Sequence, residues 1–306
     1  MSVVLPVYNG AEHLRAAIES VLAQDFADIE LVVVDDASTD GSLAVAESFA
    51  DPRITIVALP RNGGLAAALN HGIERARGTL IARQDQDDVS APTRLSTQVA
   101  LLAREPETVL VGTWATIVRQ RPDGEWVIVG RHQHPTADER LRFRLLWNNP
   151  FVHSSVVFRR SAFDSAGGYG TDPEESFPED YDLWSRLARF GRLANVPEEL
   201  VTYRESPGAM TKASADRVQA GVLRIACRSL AAATSTDAHD PQVITLARTL
   251  NGLPSPPVSL GQAARRVSLF ERAASCACPR VSPRLLVDRA RWSGKVLVRS
   301  LRPARA

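Results

Sequence analysis

Apolar residues change their spacing repeatedly along the first 83 residues. Short continuous apolar runs predict buried strands at SVVLPVY, ELVVVDD, RITIVAL and TLIAR. Between these runs the apolar residues recur at helical spacing, as at Leu14, Ile18, Val21 and Leu22. Strand and helix alternate four times, which predicts an α/β fold with a Rossmann-like, mainly parallel sheet, because right-handed crossovers place helices on both faces.

The remaining chain predicts a second part of the sheet and then a helical segment. The pattern favours a helix after Pro92, strands at TVLVGTWATIV, HSSVVFRR and ELVTYR, a hairpin turn at RPDGEW, and helices over 135–147 and 181–190. From about residue 213 the pattern is helical. We therefore expect two halves of one domain at 1–104 and 105–212, with a basic helical extension at 213–306.

Polar and acidic residues follow the first four predicted strands. In parallel sheets, ligands bind beyond the carboxyl ends of the strands. Tyr8 could stack on a base or simply cap the core, and Asp36 could accept a hydrogen bond from a base N–H or belong to a helix-capping segment. Gly63 and Gly64 allow close backbone approach or only form a turn. Together, at one sheet edge, these residues favour a nucleotide site.

Three aspartates lie within four residues after the fourth strand, at Asp85, Asp87 and Asp88. Such a cluster is unfavourable unless water, a cation or protons relieve the repulsion. In extended chain, Asp85 and Asp87 would point the same way and could share Mg²⁺ or Mn²⁺, which accept a few carboxylates together with substrate phosphates. The alternative is an acidic, solvated turn, and the cluster alone does not separate the two.

Composition restricts the partners and the location. Formal net charge is +1, from 36 basic and 35 acidic side chains, so nothing favours nucleic acid as a partner. The odd count of three cysteines argues against a disulfide framework and fits a reducing compartment. No run approaches the roughly 18 apolar residues of a spanning helix, and no secretory signal pattern begins at Met1. We expect a cytoplasmic protein.

The segments SVVLPVYNG, ELVVVDDASTDGS, NGGLAAALNHGIERARGTLIARQDQDD and PEDYDLWSRLARFG, in that order, resemble family 2 of the inverting, metal-dependent glycosyltransferases. The resemblance covers about residues 2–205 and implies the GT-A fold. It implies a donor nucleoside diphosphate sugar, most often of UDP, and a divalent cation, Mn²⁺ or Mg²⁺. It implies that Asp87 is the main metal ligand of a D-x-D motif, with Asp85 on metal or ribose. The implied nucleotide-sugar-binding residues are Pro6, Tyr8, Asp36, Asn62, Gly64, Arg83 and Asp85.

The resemblance also implies a catalytic base. In FPEDYDLW it makes Asp180 the general base, with Glu179 beside it, whereas the residues alone equally suit negative charge at a helix N-terminus. Asp88 has an implied supporting role, and His153 is expected near the mouth of the site. Trp184 could line an acceptor pocket, although core packing is the favoured alternative.

The sequence departs from the family pattern after its last strand. Ser206 stands where many members have a histidine, so the role of that histidine is in doubt here. The Q-x-x-R-W signature of processive synthases does not occur, which favours single additions to a glycan or lipid-linked acceptor, as in surface polysaccharide or glycoconjugate synthesis. A sugar nucleotidyltransferase, or a non-catalytic nucleotide- or sugar-binding protein on the same scaffold, remains the alternative.

The end of the chain is cationic. Eight basic residues follow Pro279, against Asp288 alone. Leu286, Ala290, Leu297 and Leu301 form one helical stripe that could lie on an anionic membrane at the inner face, or dock on the protein and expose the charge.

Overall fold

A computed structural model of the chain describes residues 1–172, 174–205, 215–255, 258–278 and 281–301. Within these ranges one sheet is built from the strands β1 (Ser2–Val7), β2 (Glu30–Asp35), β3 (Ile54–Ala58), β4 (Leu80–Arg83), β5 (Val89–Ser90), β6 (Thr108–Gln120), β7 (Trp126–His132), β8 (Val157–Arg159) and β9 (Arg192–Arg204). The helices are α1 (Ala11–Leu22), α2 (Ser42–Glu47), α3 (Leu65–Arg75), α4 (Arg94–Arg104), α5 (Asp138–Leu145), α6 (Arg160–Ala166), α7 (Glu179–Leu187), α8 (Ala215–Thr234), α9 (Pro241–Leu250), α10 (Leu260–Ala277) and α11 (Pro283–Leu301).

The sheet has the order β3-β2-β1-β4-β8-β6-β9-β5, with β7 paired to β6. β1 to β4 run parallel, as do β6 and β9, while β8 is antiparallel to both of its neighbours. The mainly parallel α/β sheet expected from the sequence is therefore confirmed. The second part of the sheet is mixed, because β8 runs against β4 and β6.

The central strand β1 is buried along its whole length, and its proline lies near its carboxyl end. All six of its residues are buried, as the continuous apolar run predicted. Pro6 is paired with Val34 of β2, whereas β4 pairs with β1 only up to Val4. The missing N–H of Pro6 therefore falls beyond the end of the β1–β4 ladder, where no partner strand requires it.

The chain divides into two compact units. The first comprises residues 1–136, 151–171 and 186–213 and holds the whole sheet; the second comprises 137–150, 172–185 and 214–306. Phe143 of α5 and Trp147 just after it lie in the core of the second unit. The C-terminal helices contribute side chains such as Leu230, Leu246 and Phe270 to the same core. The boundaries at 104/105 and 212/213 stay predictions.

Two element predictions were wrong in detail. The segment HSSVVFRR begins with a short 3-10 helix, His153–Ser155, and only Val157–Arg159 is strand. Ser155 donates to the carbonyl of Val152 at 2.8 Å, and such local side-chain bonds favour turns over strands. The helix expected over 135–147 is limited to Asp138–Leu145. Among the helices in the described ranges, none is both long enough and apolar enough to cross a bilayer.

Candidate active site

The carboxyl ends of β1, β2 and β4 bring the predicted polar residues to one edge of the sheet in the first unit. The N–H of Asp36, just after β2, donates to the carbonyl of Val7 at 2.8 Å. The N–H of Tyr8 donates to Oε1 of Gln86 at 2.8 Å, which ties the end of β1 to the aspartate segment after β4. The tyrosine itself is 47% exposed, so its ring is available to a ligand.

Asp36 and the Asn62–Gly64 turn form one hydrogen-bonded unit. The two carboxylate oxygens of Asp36 accept the N–H groups of Gly63 at 2.8 Å and Gly64 at 2.9 Å, and Asn62 Nδ2 donates to its carbonyl at 3.2 Å. The carboxylate is thus fixed by the protein, and only its remaining lone pairs could accept a base N–H. The structure places Asp36, Asn62 and Gly64 together, as the sequence predicted.

The neighbouring backbone is strained. Ala37 has φ 58°, and Asn9 has φ 49°. A left-handed alanine costs free energy and persists only where the surrounding structure holds it, which is common at ligand sites. Asp35 is buried, and its Oδ1 has no hydrogen-bond partner among the described residues. A buried carboxylate oxygen without a donor is costly, which adds to the strain at this edge of the sheet.

Gly64 supports a testable prediction about this turn. Its φ of 83° and ψ of 166° lie in a region that is open essentially to glycine alone. Gly64→Ala is expected to lower the free energy of unfolding by roughly 1 to 3 kcal/mol, measured by urea denaturation. Gly261→Ala is the matched control, because Gly261 lies in a helix with open space at its Cβ position. Equal stability of the Gly64 variant and wild type would contradict the strain argument.

At the end of β4 the buried Arg83 forms an ion pair with the half-buried Asp85. Arg83 is 1% exposed and its Nη1 contacts Asp85 Oδ1. Burial opposes the charge of Arg83, but Asp85, together with Tyr169 and Asp88, outweighs it, so the pKa of the guanidinium is raised. Arg83 is therefore a buried residue at this edge of the sheet. A role on phosphates requires a ligand to compete with Asp85.

Asp87 has a raised pKa. Burial, and then the charge of Asp85, raise the pKa of Asp87 to about 6, although Arg83 and Arg204 oppose this shift. A carboxylate that is costly to ionise among other carboxylates is stabilised by a bound cation. A bound cation would therefore favour the ionised form of Asp87.

Asp88 has a different environment. It is fully buried, its Oδ2 accepts from Ser154 Oγ, and its Oδ1 accepts the N–H of Arg204 at 3.0 Å. Burial, together with Asp85 and Asp87, raises its pKa well above the ordinary value. Since both oxygens are engaged by protein donors, Asp88 anchors the turn, and the geometry suits the supporting role implied for it.

The aspartates lie in a turn, and the expectation of extended chain was wrong. The N–H of Asp88 approaches the carbonyl of Asp85 at 3.4 Å. The side chain of Gln84 stabilises the turn. Its Nε2 donates to the carbonyl of Asp88 at 2.8 Å, and its Oε1 accepts from Ser90 and Arg94 at 2.6 and 3.0 Å. Local amide and hydroxyl bonds of this kind compete with strand structure.

The donor atoms fit a metal that is completed by substrate. Across the described ranges no three His, Cys, Asp or Glu side chains form a preformed metal group. Mg²⁺ and Mn²⁺ sites commonly use one or two carboxylates, with water and substrate phosphates at the other positions. Asp87, with its raised pKa, and Asp85 supply such oxygens. The residues present therefore fit a divalent cation held by Asp87 and Asp85.

Sequence reasoning missed several residues of this site. Gln86 joins the turn to Tyr8, and Ser154 binds Asp88. Arg204, at the end of β9, places its guanidinium 5.1 Å from the ring centroid of Trp126, and its buried Nη1 has no hydrogen-bond partner in the part of the chain that is described. Ser154 and Arg204 have no spacing signal, since they are 66 and 116 residues from Asp88 along the chain. Ser206 lies outside the described residues.

His153 is half-buried in the first unit, and its Nε2 lies 3.0 Å from the hydroxyl of Tyr169. Burial and the nearby charge of Arg83 lower the pKa of His153 well below its ordinary value. The imidazole is therefore neutral at physiological pH. Its position beside Arg83 is compatible with the predicted location near the site.

Asp180 belongs to the second unit, in the first turn of α7. Asn149 Nδ2 donates to its Oδ2 at 2.7 Å, and the N–H of Tyr181 donates to its Oδ1 at 2.7 Å. The carboxylate is thus oriented by an amide that the sequence did not single out. Glu179 precedes it in the same turn, while Trp184 is fully buried, which favours core packing over an acceptor wall.

Comparisons with known proteins show the family to which this chain belongs. The description "Glycosyl transferase family 2" fits residues 2–167, a range that includes Asp87 and ends before Asp180. EpsE of Bacillus subtilis is 36% identical over 218 residues, 70% of this chain and 76% of that protein. The amylovoran biosynthesis glycosyltransferase AmsE of Erwinia amylovora is 33% identical over 216 residues, 69% and 78% of the two chains.

Solved structures agree on the fold. TarS 1-349 of S. aureus, in complex with UDP-GlcNAc, has a TM-score of 0.61 at 17% identity and covers 98% of this chain and 90% of its own. The mannosyltransferase PcManGT from Pyrobaculum calidifontis, in complex with GDP-Man and Mn2+, has a TM-score of 0.57 at 20% identity, with coverage of 98% and 85%. The chain therefore has the GT-A fold. The chain belongs to glycosyl transferase family 2.

Proposed function

We propose that this glycosyltransferase is metal-dependent and inverting, and that it transfers one sugar from a nucleoside diphosphate sugar, preferentially of UDP, to an acceptor hydroxyl. The observation that carries the proposal is the Asp87 carboxylate, whose pKa is raised to about 6 by burial and by Asp85 at the nucleotide edge of the sheet. TarS was solved with UDP-GlcNAc and PcManGT with GDP-Man and Mn2+, which supports a nucleotide-sugar donor and a divalent cation.

The donor would be held by the residues of the first unit. Tyr8 offers an exposed ring for the base, and the Asp36 and Gly64 turn offers a fixed carboxylate next to flexible backbone. Asp87 and Asp85 would hold the cation, which when bound neutralises charge on the departing diphosphate. Arg83 and Arg204 add positive charge beside the same aspartates.

The acceptor would be activated by Asp180. A carboxylate is a weak base, so it takes the proton late, as the hydroxyl oxygen attacks the anomeric carbon and the proton becomes acidic. A single displacement from the opposite face inverts the configuration. Asn149 would keep the proton-accepting carboxylate oriented through its 2.7 Å hydrogen bond.

The biological setting is also a proposal. AmsE is named for amylovoran biosynthesis, which supports a role in surface polysaccharide or glycoconjugate synthesis with a glycan or lipid-linked acceptor. The three cysteines are free thiols, which supports a cytoplasmic location.

Calorimetry tests the donor site. UDP, dTDP and GDP are titrated into the protein with and without Mn²⁺, and wild type is compared with Asp87→Ala. We expect one diphosphate to bind in a manganese-dependent manner and to lose at least about tenfold in affinity in the variant, because a carboxylate ligand is removed. Absence of binding by every diphosphate would overturn the proposal. Manganese-independent binding that the variant retains would overturn the metal site alone.

A further inference from the structure

The C-terminal helix α11 carries two separate apolar faces. Its inner face is formed by Leu285 and Val296, which are buried, and by Trp292, which packs against the same core of the second unit. This face alone accounts for the docking of the helix. The apolar stripe predicted from the sequence is not part of it, since Leu286 is 56% exposed.

The outer face of α11 is apolar as well. Val287 is 67% exposed, Val298 46% and Leu301 41%. The exposed residues also include Arg284, Arg291 and Arg299, but at 100° per residue the exposed apolar side chains fall within one arc of about 120°. That arc contains only the residues Pro283, Leu286, Val287, Ala290, Gly294, Leu297, Val298 and Leu301. A surface helix that faces water normally carries polar residues on this side.

The preceding helix α10 provides a comparison within the same unit. Its inner residues enter the same core, yet its exposed positions include Gln262, Arg265, Ser268, Arg272 and Ser275. The apolar exterior of α11 is therefore not a general property of the helices in this unit. Contiguous exposed apolar surface with a polar border is typical of an interaction site.

Cations border the apolar arc on one side. Arg284, Arg291 and Lys295 follow one another along this border, and the acid Asp288 beyond them is engaged by Arg140 Nε at 2.6 Å. Burial first, and then the positive charges around it, Arg291 foremost, lower the pKa of Lys295. The border is therefore a positively charged strip without a matching acid of its own.

We propose that the outer face of α11 lies on an anionic lipid bilayer, with its apolar arc in the headgroup region and the cationic border on the lipid phosphates. An amphipathic helix with this arrangement binds through apolar burial plus attraction to anionic lipid. An antiparallel twofold pair of two copies is disfavoured, because it would place the cationic border of each helix against the same border of the other. This surface does not depend on the proposed donor or acceptor.

Vesicle flotation of the full chain tests the proposal. Vesicles of equal parts phosphatidylcholine and phosphatidylglycerol are compared with pure phosphatidylcholine. Wild type is expected to bind the anionic vesicles, and Val287→Glu with Val298→Glu to weaken binding by about tenfold or more, since two charges enter the apolar face. Ala264→Glu with Ser268→Glu on α10 adds the same charge to exposed positions and is expected to bind like wild type.

Two further measurements separate the forces. Arg284→Gln with Arg291→Gln is expected to reduce binding to the anionic vesicles and to flatten its salt dependence. Circular dichroism establishes that each variant is folded. Failure of wild type to bind anionic vesicles, or equal binding by the Val287 and Val298 variant, would overturn the proposal. A wild-type dimer that the same variant dissociates, without vesicle binding, would assign the face to self-association.

Discussion

Asp87→Asn is expected to abolish sugar transfer and, at the same time, to stabilise the metal-free protein. The carboxyl has its ordinary pKa of 3.8 when unfolded and about 6 when folded. Between these values the folded state binds more protons, so the stability of wild type falls as the pH rises from about 4 to 6. Above pH 6 the ionised carboxylate carries its full cost, and the asparagine removes about 1 to 3 kcal/mol of it.

Thermal melts at pH 5 and pH 8, in chelator and in Mn²⁺, measure this effect. In chelator the melting temperature of the variant should exceed that of wild type at pH 8 and approach it at pH 5. Manganese should reverse the order at pH 8, because a bound cation favours the ionised carboxylate. Asp28→Asn, at an exposed carboxylate, is the matched control and should behave like wild type. A less stable Asp87→Asn protein in chelator at pH 8 would contradict the repulsion argument.

Asp180→Asn is expected to lower kcat by about 10²- to 10⁴-fold, the usual contribution of a general base. The amide keeps the size of the side chain but cannot accept the hydroxyl proton. The residues proposed to hold the donor all lie in the first unit. The Kd for the donor should therefore stay within about threefold of the wild-type value, a change of less than the 1.4 kcal/mol that a tenfold loss would represent. Steady-state kinetics with donor titration by calorimetry separates the two quantities.

Two neighbouring substitutions control for helix effects. Glu179→Gln removes a charge from the same first turn of α7 and is expected to change kcat only slightly. Asn149→Ala removes the 2.7 Å hydrogen bond to Asp180 and should give an intermediate loss, since an unrestrained carboxylate is less well aimed. Loss of donor binding in Asp180→Asn, or an equal loss of kcat in Glu179→Gln, would reject Asp180 as the base.

Several features followed from the sequence alone. The continuous apolar run of β1 is typical of a strand inside a parallel sheet, and the alternation of strand and helix indicates the edge of that sheet to which Tyr8, Asp36 and Asp85 belong. The order of the motifs also indicated the family, which the comparisons confirm. These properties depend on local periodicity and on strand direction, which neighbouring residues encode.

Other features depended on contacts between distant parts of the chain. Spacing could not separate the roles of Asp87 and Asp88, because the difference lies in the Ser154 hydroxyl and the Arg204 N–H, more than sixty residues away. Similarly, the periodicity of α11 gave a stripe but not the side of the helix that enters the core. Burial, pKa and exposure arise from what surrounds a side chain, so only the tertiary structure determined them.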